Sequence, residues 1–254
     1  MAGVGFLTVL LIGGKLYLAL MAVIATVGFS EFCHIVRTSM LRAEAVISLL
    51  YLWIIFFLIA VPQPFAALSP FNVTLAFLFV GLIWTVLSRN EVTFNQMTYL
   101  LGGAIYIGAG FALMASTRFL QDGFLLTLFV IAVTWASDTG AYFVGRRWGK
   151  RKLWPAISPN KTIEGAVAAI GCAIIVGVLF PVFFADVFTI VFAFWLAIFI
   201  SIIGQVGDLI ESALKRAHDV KDSGTILPGH GGVLDRFDSL LFSFAVLHVL
   251  HIFG

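Results

Sequence analysis

Acidic side chains recur at helical spacing in one polar part of this chain. Asp208 is followed three, four and seven residues later by further polar side chains, so a helix would present all of them on one face. Asp235 and Asp238 are three residues apart, and they share a face if a second helix restarts after the glycines that precede them. Mg²⁺ takes one or two carboxylates and leaves its other positions to water and substrate phosphates. The spacing therefore predicts a magnesium site at these three aspartates, with ion pairs to nearby bases as the structural alternative.

Basic side chains are interleaved with these acids. An arginine guanidinium suits phosphate oxygens through two parallel hydrogen bonds, and a lysine ammonium acts as a point charge. We therefore predict that the interleaved bases neutralise a phosphate-bearing substrate. For the separate basic run at residues 146–152 we favour the alternative, attraction to anionic lipid headgroups at about 1 kcal/mol per base. The interleaved bases are Lys215, Arg216, Lys221 and Arg236, and Lys161 joins them from the neighbouring loop.

A glycine-rich turn, residues 228–232, separates the two acidic faces. Glycines allow positive φ and let backbone amides approach an anion closely, and the helix that follows would point its N-terminus at the same place. Because His230 stands between glycines, we expect it to be exposed. It is a candidate phosphate hydrogen-bond donor and equally a candidate general acid or base.

Two further polar segments interrupt apolar sequence. Asp138 lies within a long apolar run, where a carboxylate is costly unless it faces a polar cavity or a partner. Residues 158–165 open another apolar run, and Thr162 or Asn160 could cap the helix that starts there. Capping alone does not account for Lys161 at the same turn. Helix capping and substrate contact therefore both remain open for this segment.

The rest of the chain is strongly apolar. Of its 254 residues 61% are hydrophobic and only 11% are charged, whereas about a quarter are charged in a soluble domain. Residues 138–164 and 204–238 hold 18 of the 28 charged side chains, and we expect the other ten mostly at span ends, where snorkelling accounts for them. A net charge of +2 without a basic stripe does not indicate a nucleic-acid partner.

Apolar runs long enough to cross the bilayer define the expected architecture. About 30 Å of hydrocarbon requires roughly 20 residues at about 1.5 Å each. We predict an all-α, polytopic integral membrane protein with eight or nine transmembrane helices, the ninth being a short first span at residues 4–12. The eight longer runs are 15–36, 45–61, 71–88, 98–116, 123–145, 163–184, 187–210 and 237–253.

The charged loops predict the orientation and the division of the chain. The loop from Arg146 to Lys161 carries six bases and no acid, so the positive-inside rule places it in the cytoplasm. Alternation of the spans then places residues 212–238 on the same side. We therefore predict a transmembrane scaffold at residues 1–122, and a catalytic transmembrane region with a cytoplasm-facing polar site at residues 123–254.

One long polar pattern runs from residue 212 to residue 238. It reads Ser212-Ala-Leu-Lys215-Arg216, four residues, Lys221-Asp222-Ser-Gly224, then Leu227-Pro228-Gly-His230-Gly231-Gly232-Val-Leu-Asp235-Arg236-Phe-Asp238. This pattern resembles the signature of the phosphatidate cytidylyltransferases, the CDP-diacylglycerol synthases. The segments that begin at Asp138 and Ser158 resemble two other stretches of that family, whereas the N-terminal half is similar only as a set of spans.

The resemblance implies that a cytidylyl group passes from CTP to phosphatidate, giving CDP-diacylglycerol and pyrophosphate. The lipid phosphate would attack the α-phosphorus of CTP in line, assisted by a metal. A phosphate monoester is largely ionised at neutral pH, with a second pKa of about 6, so no strong general base is required. Catalysis would consist of positioning and charge neutralisation, while the acyl chains stay in the bilayer.

The resemblance also implies roles for single residues. Mg²⁺ would be held by Asp208, Asp235 and Asp238, with a second cation such as K⁺ close by. The implied catalytic residues are Asp208, Lys215, Arg216, Lys221, Asp222, His230, Asp235 and Arg236. The implied substrate-binding residues are Asp138, Ser158, Asn160, Lys161, Thr162, Glu164, Ser212, Gly231 and Gly232. Partners would be CTP, phosphatidate and membrane lipids in a bacterial inner membrane, with a homodimer among the open oligomeric states.

Two other functions are compatible with a polar site in a membrane protein. One is a CTP-dependent transferase that acts on a different lipid, such as a polyprenol. The other is a transporter, which would place charges near the midplane of several helices or break paired helices in two repeated halves. In this chain the charged segments are predicted to lie on one side of the membrane, and the sequence shows no repeat. Both features favour the transferase.

Overall fold

The computed structural model describes residues 2–61, 63–65, 67–224 and 231–253. Across these residues the chain forms nine α-helices, a short 3₁₀ helix at Gln63–Phe65 and one two-stranded hairpin, which confirms the predicted all-α class. The elements are α1 (Ala2–Ile12), α2 (Gly14–Ile35), α3 (Ala43–Ala60), α4 (Pro70–Leu87), α5 (Phe94–Thr117), α6 (Gly123–Trp148), β1 (Lys152–Trp154), β2 (Ser158–Thr162), α7 (Ile163–Phe183), α8 (Ile190–Ala217) and α9 (Leu234–Val249).

Seven of these helices, α2 to α8, are long and apolar enough to cross a membrane. The chain is therefore an integral membrane protein. Helix α1 has 11 residues and α9 has 16. At about 1.5 Å per residue they reach roughly 16 and 24 Å, short of the roughly 30 Å hydrocarbon core. The runs at 4–12 and 237–253 thus form helices shorter than a span, and seven described helices meet the length criterion.

The described residues form two compact units, each discontinuous in sequence. The first comprises Met1–Phe119 and Asp222–Leu234, and the second comprises Leu120–Lys221 and Asp235–Gly254. The break after Phe119 lies close to the expected boundary at residue 122. The segment from Asp222 to Leu234 nevertheless groups with the N-terminal helices.

The first unit is built on α2, α3 and α5, which pack on one another, with α4 against α3 and α5. Small residues allow the close approach. A Cβ at Gly108 of α5 would lie 3.0 Å from the backbone oxygen of Leu52 on α3, and one at Gly103 would overlap the ring of Phe32 on α2. Such contacts are typical of membrane helices, in which van der Waals packing replaces the hydrophobic effect.

The second unit packs α6, α7 and α8 together, again across small residues. A Cβ at Gly165 of α7 would lie 2.9 Å from the backbone oxygen of Ala141 on α6. Helix α9 approaches α8 in the same way, because a Cβ at Gly207 would lie 2.9 Å from the backbone oxygen of Asp238. The two helices that carry the predicted metal ligands are therefore in direct backbone contact.

The basic loop between α6 and α7 contains an antiparallel hairpin. Lys152 pairs with Thr162 and Trp154 pairs with Ser158, and the amide of Ile163 donates to the backbone oxygen of Arg151 at 2.9 Å. The sequence patterns did not predict these strands, which are three and five residues long. The hairpin delivers residues 158–162 to the start of α7.

Candidate active site

A salt bridge joins strand β2 to helix α8. The Nζ atom of Lys161 lies 2.7 Å from Oδ2 of Asp208, and both side chains are partly exposed. The other oxygen of Asp208 accepts a hydrogen bond from Oγ of Ser212 at 3.2 Å, one helical turn further on. Asp208 and Ser212 therefore lie on one face of α8, as their spacing predicts. Lys161 of β2 contacts that face.

A second ion pair joins α8 to α9. Nζ of Lys215 lies 2.5 Å from Oδ1 of Asp235 and 3.3 Å from Oε1 of Glu211, so one ammonium serves two carboxylates. All three side chains are largely buried, and Glu211 is only 3% exposed. Both carboxylate oxygens of Glu211 are buried, and the Lys215 ammonium lies beside Oε1. The Lys215 ammonium is therefore the cation that the Glu211 and Asp235 carboxylates share.

Two further aspartates bring negative charge to the same cluster. Asp238 follows Asp235 by three residues on α9, and its Oδ1 accepts the backbone amide of Ser239 at 2.6 Å. Burial raises the pKa of Asp238 well above the usual value for an aspartate, and the charges of Asp208 and Glu211 raise it further. Carboxylates that repel one another in this way favour the arrival of a cation.

Asp138 completes the cluster from a third helix, α6. Its carboxylate interacts electrostatically with Asp208 and with the bases Lys161 and Arg236. An acid within an apolar helix was expected to face a polar partner, and the structure supplies several. Acidic side chains from α6, α8 and α9 thus act on one another within the second unit. We call Asp138, Asp208, Glu211, Asp235 and Asp238 the acidic cluster.

The acidic cluster is not a preassembled metal cage. Among the described residues, no three His, Cys, Asp or Glu side chains are grouped as metal ligands would be. Asp208 is paired with Lys161 and Asp235 with Lys215, and the second pair matches the predicted structural alternative, ion pairing with Lys215, Arg216, Lys221 or Arg236. The donor chemistry still fits Mg²⁺, because all the candidate ligands are carboxylate oxygens and this ion needs only one or two of them beside phosphates.

Residues at the start of α7 have structural contacts. Oγ1 of Thr162 accepts the amide of Gly165 at 3.1 Å, so Thr162 caps the helix. The Glu164 carboxylate accepts the amides of Lys150 and Arg151 at 3.0 and 3.2 Å. These contacts match the capping alternative for Thr162 and show that Glu164 fastens the preceding loop. Ser158 and Asn160 lie on β2, where Asn160 is exposed.

The loop after α8 carries the remaining predicted residues. Nη1 of Arg216 donates to the backbone oxygen of Val220 at 3.1 Å, while Lys221 and Asp222 are exposed. Gly231 adopts a positive φ of 78°, as expected for a glycine turn. The predicted role of His230 stays a prediction, because that residue lies outside the described part of the chain.

The sequence patterns did not single out Glu31, a buried acid of α2. It is 3% exposed, and its carboxylate accepts hydrogen bonds from the amides of Val233 and Leu234 and from the hydroxyl of Ser223. Glu31 is among the ten charges expected mostly at span ends, but the structure places it in the core of the first unit. Like Asp138, it is a carboxylate within an apolar run, where an acid requires a polar partner.

The chain is similar to known proteins over most of its length. The sequence profile described as "Cytidylyltransferase family" matches residues 1–253. Three bacterial proteins named phosphatidate cytidylyltransferase are similar along nearly their whole length. That of Bacillus subtilis (strain 168) is 39% identical over 98% of this chain and 94% of its own. Those of Staphylococcus haemolyticus and Staphylococcus saprophyticus are 40% and 41% identical over 96% of this chain and 93% of theirs. The chain therefore belongs to the cytidylyltransferase family.

Proposed function

We propose that this membrane protein transfers a cytidylyl group from CTP to phosphatidate, giving CDP-diacylglycerol and pyrophosphate. The observation that carries the proposal is the pairing of carboxylates with Lys161 and Lys215 at the polar ends of apolar helices. Such a site offers cations to phosphates and carboxylates to a metal, beside a bilayer that retains the acyl chains. The names of the similar proteins support the same reaction.

The chemistry is an exchange at phosphorus. An oxygen of the phosphatidate phosphate forms a bond to the α-phosphorus of CTP, and the bond from that phosphorus to the bridging oxygen of the β-phosphate breaks. Pyrophosphate leaves with the electron pair. Because the attacking phosphate is already largely ionised, with a second pKa of about 6, no side chain has to remove a proton. The protein's task is to align the two anions and neutralise their charge.

We assign that neutralisation first to Lys161 and Lys215. Both are engaged with aspartates, so an arriving phosphate competes with Asp208 for Lys161 and with Asp235 for Lys215. Asp208, Asp235 and Asp238 would hold Mg²⁺, which when bound withdraws charge from the CTP phosphates. A second cation such as K⁺ would bind close by.

The site is proposed to face the cytoplasm of a bacterial cell, where CTP is available. The loop at residues 149–162, together with the end of α6, carries six bases and one hairpin. The positive-inside rule places such a loop on the cytoplasmic side of the inner membrane. Exposed Trp148 and Trp154 in the same region suit the headgroup layer. A homodimer remains one option for the assembly.

An assay with radiolabelled CTP tests the proposal. The purified full-length chain, in detergent or in vesicles with phosphatidate and Mg²⁺, is expected to form labelled CDP-diacylglycerol. A polyprenyl phosphate and a polyprenol replace phosphatidate in parallel reactions, and product only there would favour a different lipid substrate. Absence of any CDP-lipid from folded protein would contradict the transferase assignment. The Lys161→Met variant should lose turnover, whereas Lys152→Met, at an exposed position of the hairpin, should keep it.

A further inference from the structure

Glu31 connects α2 to the start of α9 within the first unit. Its Oε1 accepts the amide of Val233 at 2.8 Å, and its Oε2 accepts the amide of Leu234 at 2.9 Å. The same Oε2 accepts the hydroxyl of Ser223 at 3.2 Å. One buried carboxylate therefore binds chain segments about 190 and 200 residues further along the sequence.

These contacts replace a missing local cap. The first amides of a helix have no partner within the helix, and a Ser, Thr, Asp or Asn just before it normally satisfies one of them. Helix α9 begins at Leu234, and the residue before it is Val233, whose side chain has no oxygen. Glu31 supplies the acceptor from another helix, and its negative charge suits the positive end of the α9 dipole.

Two glycines are explained by the same carboxylate. A Cβ added at Gly224 would lie 2.7 Å from Oε1 of Glu31, and one added at Gly232 would lie 2.7 Å from Oε2. The latter would also collide with the hydroxyl of Ser223. Glycine at both positions is what allows the backbone to close around Glu31. The acid thus contacts the chain at residues 223–224 and again at residues 232–234.

From these contacts we infer that Glu31 is a positioning residue for the transferase reaction, because it sets the residue and the orientation at which α9 begins. The inference rests on the proposed function. Asp235 follows Leu234 directly in the chain, and Asp238 lies one turn later, so the amides held by Glu31 precede both predicted metal ligands. The first turn of a helix frays more readily when its amides lose their acceptor, and Asp235 lies in that turn. Loss of the anchor would therefore misdirect Asp235 directly and Asp238 through the turn that precedes it.

The test compares Glu31→Gln with Glu44→Gln in the full-length purified protein. Gln keeps the size of Glu31 but offers one acceptor oxygen for two amides. Glu44 is a matched control, because it is another buried acid of the first unit but pairs with Arg42 rather than with α9. Misplacement of reacting groups by about 1 Å can cost up to about a hundredfold. We therefore expect Glu31→Gln to lower kcat about tenfold or more, with KM for CTP within about threefold. Glu44→Gln should keep wild-type kcat.

Further variants separate positioning from a general loss of stability. Val233→Asp, combined with Glu31→Gln, supplies a local cap and is expected to recover part of kcat. Glu31→Asp keeps the charge but shortens the reach, so an intermediate kcat is expected, and this milder variant also serves if Glu31→Gln does not accumulate. A kcat per folded protein equal to wild type in Glu31→Gln or Glu31→Asp would overturn this inference alone. A wild-type chain that forms no CDP-lipid would overturn the proposed function and the inference together.

Discussion

Lys215 of α8 lies 2.5 Å from Asp235 of α9, so one ammonium ties the last turns of one helix to the first turn of the next. The same ammonium lies 3.3 Å from Glu211, whose carboxylate is almost fully buried. Removing one partner of a buried ion pair costs more than the pair contributes, because an uncompensated charge remains. We therefore expect both the stability of the α8–α9 contact and the proposed transfer reaction to depend on Lys215.

Lys215→Met tests this dependence. The variant leaves Glu211 and Asp235 without their shared cation, so the free energy of unfolding should fall by about 3 kcal/mol. Turnover of CTP should also be lost, since a phosphate-binding charge is removed. Thermal unfolding in detergent and CDP-lipid formation measure the two effects. Lys152→Met is the control, and a Lys215→Met protein with wild-type turnover would contradict the assignment.

Lys161→Met should behave differently from Lys215→Met. Its ion pair with Asp208 is partly exposed, at 23% and 36% of the two side chains, and pairs of this kind contribute about 1 kcal/mol or less. We therefore expect turnover to fall about tenfold or more while the unfolding temperature changes little. Lys161→Arg keeps the charge and should retain part of the activity. Equal losses of stability and turnover in Lys161→Met would argue for a structural role instead.

The proposed metal ligands predict a changed magnesium requirement. Asp238→Asn removes a carboxylate that would bind Mg²⁺, so a higher Mg²⁺ concentration should be needed for half-maximal turnover. Asp235→Asn should have the larger effect on kcat, because it also breaks the pair with Lys215. Chelation of Mg²⁺ should abolish activity of the wild type. Titration of Mg²⁺ in the CDP-lipid assay measures the metal requirement of each variant. Asp219→Asn, on the exposed loop after α8, is the control and should match wild type.

Substitutions at Thr162 distinguish a helix-capping role from a substrate-binding role at the start of α7. Thr162→Val removes the hydroxyl that accepts the Gly165 amide and caps α7, so the free energy of unfolding should fall by about 1 kcal/mol. Thr162→Ser keeps that hydroxyl and should match wild type. Because the contact of Thr162 is with the backbone, KM for CTP should change little in either variant. A rise in KM for Thr162→Val without any loss of stability would support substrate contact.

The close contact of α8 with α9 predicts opposite outcomes for two glycine variants. A Cβ at Gly207 would lie 2.8 Å from Cβ of Phe242 and 2.9 Å from the backbone oxygen of Asp238, so Gly207→Ala should force the helices apart. Turnover should fall, because Asp238 moves with its helix. Gly171, within α7, has open space around it, and Gly171→Ala should be neutral or stabilising by up to about 1 kcal/mol. Thermal unfolding and turnover of both variants check the prediction.

Hydropathy located the spans but not the ends of the helices. The run predicted at residues 187–210 is observed as α8, Ile190–Ala217, which continues for two turns past the last apolar residue of that run. Those extra turns carry Glu211, Ser212 and Lys215. Apolar content marks the thickness of the bilayer, whereas a helix ends where its backbone hydrogen bonds end. The site lies on this polar extension of a transmembrane helix.

The contacts of Glu31 could not be predicted from local sequence patterns. Its partners Val233 and Leu234 lie about 200 residues away, and both contribute only backbone amides. Every residue except proline has a backbone amide. The residue types at positions 233 and 234 therefore do not indicate that Glu31 accepts hydrogen bonds from their amides. Spacing can place side chains on one face of one helix, but it does not reveal contacts between distant segments.

The order of amino acids determined the membrane class, the seven long helices and the concentration of acids and bases in two segments, because each follows from composition or from a local period. The tertiary structure decided which charges meet. It paired Lys161 with Asp208, shared Lys215 between Glu211 and Asp235, and brought Glu31 to the start of α9. These partners depend on how closely helix backbones approach, as at Gly207, and that distance is set by packing across the whole unit.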